Sequence, residues 1–208
     1  MQPVETETIQ YSSPAVSLSK FKKEVDGFRL IQEDWRAKGV FMINESFPVA
    51  EFIFVAAKIR PASVVFAVHI DFTNYDAEPP SIKFIDPFTR TVLKRRDIPI
   101  NFWQFKMPNI LNNHVPAELQ IQKQDLLQGG PDVIPFFCVP GVKEYHDHPY
   151  HTGDSWLLYR NTGIGNLNNL LDQLYNHSIV LINGHNVTLT PAITGFNQII
   201  PAIASPNK

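Results

Sequence analysis

Cysteine is nearly absent from this chain of 208 residues, which carries a single one, Cys138. An internal disulfide is therefore excluded, and any thiol chemistry falls on that one sulfur. Long apolar runs are missing too, none approaching the ~20 residues that a membrane-spanning helix requires. No basic n-region, apolar h-region and cleavage site opens the chain, so a cytoplasmic location and no membrane partner are expected. Charge of either sign is not in excess: the formal net charge is -2, and the one basic cluster, Lys94-Arg95-Arg96, is too short to attract nucleic acid. No internal repeat is visible. Against these absences stands a hydrophobic content of 44%, enough for a sizeable core without covalent staples.

The pattern of that apolar material divides the chain. Residues 1–16 are polar and unpatterned and read as a flexible arm. From Leu18, apolar side chains recur at Phe21, Val25, Phe28, Ile31 and Trp35, the three- and four-residue steps of one helical face, with Ser17 as N-cap and Gly39 as the stop. Short runs rich in Val, Ile and Phe follow at 40–43, 52–59, 64–72 and 82–85, separated by Phe47-Pro48, Arg60-Pro61 and Glu78-Pro79-Pro80, which predicts a four-stranded antiparallel meander. His69, inside the third run, reads as a packed or hydrogen-bonded residue. Residues 86–135 are irregular, and Phe102, Trp103 and Phe105 form an aromatic knot suited to anchoring a long insertion. A second helix is predicted from about 166 to 175, and a hairpin from 179 to 189 around Asn183-Gly184. The fold class is therefore α+β: one domain over 17–190 and a tail over 191–208.

The densest chemistry lies between Cys138 and His151, a stretch that also holds Glu144, His146 and His148. Thiolate, carboxylate and imidazole are the side chains that bind a borderline-soft divalent ion, and zinc takes all three in a tetrahedral site. Zinc, or another divalent transition metal, is the expected cofactor. Pro140-Gly141 fits the central positions of a type II turn, which would bring Cys138 back towards Glu144. His148 precedes Pro149, so an extended backbone over 144–148 is expected, with Glu144, His146 and His148 on one face. His151 would close the site from a turn, and Asp147 and Asp154 are placed to orient ligand histidines by hydrogen bonds.

Two further motifs carry a resemblance. After the helix and meander, Tyr75-Asp76-Ala77-Glu78-Pro79-Pro80-Ser81-Ile82-Lys83-Phe84 resembles the segment that introduces the fourth strand of the ubiquitin-conjugating-enzyme fold, with Asp76 in place of a proline. His148-Pro149-Tyr150 resembles the His-Pro-Asn tripeptide of that fold. Where that family carries its thioester-forming cysteine, this chain reads Trp156, Leu157 and Leu158, so ordinary transfer chemistry is not expected. The Cys138, Glu144 and histidine pattern more closely resembles a predicted metal-binding family named for Cys, Glu, His and His, encoded beside bacterial ubiquitin-like modifiers and their enzymes. That resemblance implies Cys138, Glu144 and two of His146, His148 and His151 as ligands, and a ubiquitin-like modifier or its activating or conjugating enzymes as partner.

The reading is a metal-binding accessory protein of a ubiquitin-like conjugation pathway, on a conjugating-enzyme-like scaffold. Two alternatives accompany it. His146-Asp147-His148-Pro149 matches the opening of JAB-type metallopeptidases, although their downstream aspartate is replaced by Leu158, which would suggest a metal-dependent hydrolase. Alternatively Cys138 is itself the nucleophile of a divergent transferase, activated by neighbouring imidazoles.

Overall fold

The computed structural model describes residues 9–106, 122–151 and 154–184. Helix α1 spans Pro14–Leu30 and α2 spans Gln32–Lys38, with Ile31 between them. The predicted single helix thus starts four residues before Leu18, with Pro14 just inside its first turn, where its missing N–H is no loss. It also breaks at Ile31 rather than running straight to Gly39. Gly39 ends α2 at φ 88°, and a Cβ there would lie 2.3 Å from Val55 O, so only glycine fits. The segment before α1 is tied down: Asn74, 4% exposed, accepts from the N–H groups of Tyr11 and Ser12 and donates to Ile9 O.

Strands β1 (Val40–Ser46), β2 (Val49–Ala56), β3 (Ser63–Asp71) and β4 (Ser81–Ile85) form an antiparallel sheet in the order β1-β2-β3-β4. This is the predicted meander. Phe52 pairs with Val68, and Val68 with Phe84, so one face of the sheet presents a row of fully buried side chains. That face packs on Phe21, Val25 and Phe28 of α1 and on Leu167, Leu170, Leu171 and Leu174 of α4, which spans Leu167–His177. Asn166, the expected first residue of this helix, is instead its N-cap, accepting from Asn169 N–H at 2.8 Å. On the opposite face His69 Nδ1 lies 3.1 Å from Oε1 of the buried Glu51, the hydrogen-bonded role expected of it.

The insertion is more ordered than its sequence suggests. It folds two small ladders, β5 (Trp103–Lys106) with β6 (Gln122–Asp125), and β7 (Leu127–Gln128) with β8 (Phe136–Phe137). Phe102 anchors it, with ring centroids 5.3 Å from Phe66, 5.1 Å from Phe84 and 5.6 Å from Phe137. A five-residue helix α3 (Lys143–Asp147) and a 3-10 turn at Pro149–His151 carry the histidine-rich stretch. The predicted hairpin begins instead as a 3-10 turn over Ile179–Leu181, and its second half lies outside the described residues. The tail over 191–208 lies outside them too.

Phe66 sits where sheet, insertion and aromatic cluster meet, 0% exposed. Replacing it by alanine is expected to cost about 3–5 kcal/mol, because the cavity left among rigid rings cannot collapse. Denaturant unfolding of Phe66→Ala checks this, and a loss under about 1 kcal/mol would mean that the insertion does not close over the sheet there.

Candidate functional site

Beyond the core, α3 is latched to the exposed edge of β4. Lys143 N–H donates to Pro80 O at 3.0 Å, and the Lys143 ammonium pairs with Glu78. Glu144 accepts from Ser81 Oγ and, at 3.4 Å, from Ile82 N–H. An edge strand leaves such N–H groups without sheet partners, and a carboxylate reaching across from α3 supplies an acceptor. Burial pushes the Glu144 carboxyl above the ordinary glutamate range, against the opposing pull of Ser81, its own backbone N–H, Ile82 and Lys83.

The backbone here differs from the extended segment expected. The proline rule does hold for His148, whose φ is -78° and ψ 131°. It does not reach further back, and residues 143–147 are helical, which rotates Glu144, His146 and His148 onto different faces. Gly141 departs from expectation as well, since its φ is not positive as a type II turn would need. Its lack of a side chain has another cause: a Cβ would stand 2.4 Å from Ile164 O. The chain entering α3 therefore passes backbone against backbone over the segment that leads into α4.

Of the five donors named from the sequence, the structure brings two together. Cys138 Sγ lies 3.4 Å from His151 Nε2. His146 is held between two carbonyls, Nδ1 at 2.6 Å from Asp154 O and Nε2 at 3.0 Å from Pro140 O. A neutral imidazole has one N–H and donates to only one of them at a time. His148 packs its ring 4.9 Å from Phe136 and 5.2 Å from Tyr150, with its centroid 5.9 Å from that of His151. Glu144 faces β4, and Asp147 is exposed.

Tyr145, which the sequence did not single out, organises the pair. Its ring stacks on His151 at 3.9 Å and 25°, and its hydroxyl donates to Asp154 Oδ2 at 2.6 Å. Asp154 also accepts from Tyr159 OH at 3.3 Å. Asp154 was expected to orient a histidine directly, but its side chain acts through this tyrosine. The Tyr145 bond holds the Asp154 carboxyl below its ordinary range, while burial, then Asp154, drives the Tyr145 hydroxyl upward. No periodicity or spacing signals such a stack, because the two rings meet only once α3 and the following turn have formed.

The donor chemistry suits zinc, and the arrangement suits it at two positions. With zinc bonds of 2.3 Å to sulfur and about 2.0–2.1 Å to nitrogen, two donors on one tetrahedral ion stand about 3.5 Å apart. Cys138 and His151 meet that separation. Among the described residues, no group of three or more His, Cys, Asp or Glu side chains stands ready to hold a metal ion. The pair His146 and His148, which a JAB-type hydrolase would use together, is turned to separate partners.

The fold and site define an α+β protein with a four-stranded antiparallel meander and a cysteine–histidine couple whose members flank a short edge-docked helix. The chain belongs to the Y4jH family, whose Y4jH-like family model matches residues 12–182. It is 36% identical over 203 residues to the protein described as uncharacterized protein y4jH of Sinorhizobium fredii (strain NBRC 101917 / NGR234), a match covering 95% of this chain and 98% of that one.

The raised Glu144 carboxyl fixes the sign of a pH effect. A folded-state value above the unfolded one means that the folded protein takes up the proton more readily, so this group's contribution to stability improves on acidification and worsens as pH rises. Relative to Glu144→Gln, the parent is expected to gain stability as pH falls from about 8 to about 4.5, towards the ordinary glutamate value. Denaturant titrations of both proteins across that range check it, and a trend of opposite sign would show that the donors on β4 outweigh burial.

Proposed function

We propose that this protein is a metal-binding accessory factor of a ubiquitin-like conjugation pathway, with Cys138 and His151 as its first two ligands to zinc or a similar divalent transition ion. One observation carries the reading: the 3.4 Å between Cys138 Sγ and His151 Nε2 matches the separation of two donors on a tetrahedral ion. His148 is the next imidazole along, 5.9 Å from His151 between ring centroids. The ion's role is to fix the segment from Cys138 to His151 in shape. Support for the pathway comes from the meander flanked by α1 and α4, together with the resemblance of residues 75–84 and 148–150 to the conjugating-enzyme scaffold. Trp156, Leu157 and Leu158 supply no thiol where that scaffold carries its cysteine, which favours an accessory role over thioester transfer.

A second reading is favoured by the same pair seen without further donors. A thiol beside an imidazole, itself braced by a stacked tyrosine and an aspartate, has the parts of an activated nucleophile. In that reading Cys138 Sγ attacks the carbonyl carbon of an ester or thioester while His151 takes the thiol proton, and the imidazolium returns that proton to the alcohol or thiol that leaves as the old acyl bond breaks.

Metal analysis of protein purified without added metal separates the two. The first reading predicts a stoichiometric ion in the parent and in Glu144→Gln, and its loss in Cys138→Ser and His151→Ala. It also predicts that a chelator speeds alkylation of Cys138, since a ligand sulfur is shielded. Equal metal in Cys138→Ser, or alkylation that no chelator alters, removes the first reading and leaves the second.

A further inference from the structure

Away from the cysteine–histidine couple, a cleft of about 630 Å³ opens between α1 and residues 160–168 at the start of α4. That volume falls within the range of small-molecule sites. Its walls carry two carboxylates and three cations, and the two sets are engaged unequally. Glu24 accepts from Tyr75 OH and from Leu167 N–H, each at 2.9 Å, so both its oxygens are occupied. Asp76 is bound by Lys20 at 2.8 Å and approached by Arg160 Nη2 at 3.6 Å.

The groups left over are donors. Arg160 Nε is buried and has no acceptor, a costly state for a guanidinium N–H. Lys23 lines the same cleft and makes no ion pair among the described residues. Asn166 spends its oxygen on capping Asn169, which leaves its amide N–H₂ to spare. Asn161, exposed at the rim, adds another side-chain amide.

We propose that this cleft binds an oxyanion, a phosphate or carboxylate group carried by a small ligand, with Lys23, Arg160 and the asparagine amides as its donors. An anion with several acceptor oxygens bridges the Arg160 guanidinium and the ammonium of Lys23, which has no ion pair among the described residues; Asp76 is already paired with Lys20, and Glu24 turns both its oxygens to Tyr75 OH and Leu167 N–H. The proposal does not depend on whether Cys138 holds a metal.

Binding of inorganic phosphate and of citrate, each titrated calorimetrically at matched ionic strength, tests it. Both Lys23→Ala and Arg160→Lys are expected to weaken binding by about fivefold to tenfold, as loss of one charge-assisted or forked contact would do. Lys22→Ala, an exposed neighbour on α1 outside the cleft, is expected to leave it unchanged. Circular dichroism and melting curves confirm that each variant is folded. Weakening confined to phosphate assigns a phosphorylated ligand, and weakening confined to citrate a carboxylate. No binding of either anion at millimolar concentration, or binding that the two cleft variants leave unaltered, overturns the proposal.

Discussion

The contact on which the candidate site depends is the docking of α3 against the open edge of β4. Ser81 and Ile82 turn donors outward at that edge, and Glu144 covers them from the helix, while Lys143 reaches back through its N–H to Pro80 and through its ammonium to Glu78. An uncovered edge would invite pairing with another chain. Covering it with a short helix also fixes where the following turn emerges, and so places His151 beside Cys138. A carboxylate named from the sequence as a metal ligand, Glu144, is thus the one holding the helix to the sheet.

This latch explains why the fold was easier to read than the site. The meander, the capped α4 and the apolar face of α1 are governed by period and by turn residues, which a sequence displays directly. Cys138 and His151 were also legible as partners, being soft donors in one short stretch. Glu144 was not, because its acceptors' partners lie on a strand some sixty residues earlier, and no local rule links them. The error over 144–148 has a definite source. Proline constrains the residue before it, and the structure honours that at His148 and nowhere upstream. Gly141 teaches a related lesson: a glycine can be required by a neighbouring backbone rather than by its own dihedral angles.

Tyr145 and Asp154 join the latch to the Cys138–His151 pair. The tyrosine stands between a carboxylate that takes its proton's hydrogen bond and an imidazole that takes its face, so His151 has little freedom to turn away from Cys138. Preorganisation of this kind serves a ligand histidine and a general base equally, which is why the couple supports two chemistries. The 3.4 Å between sulfur and nitrogen suits both, and the metal is the reading proposed.

X-ray absorption at the zinc edge of metal-loaded protein tests that claim most directly. The account predicts one sulfur at about 2.3 Å together with imidazole nitrogen at about 2.0 Å. A shell made only of nitrogen and oxygen would contradict it.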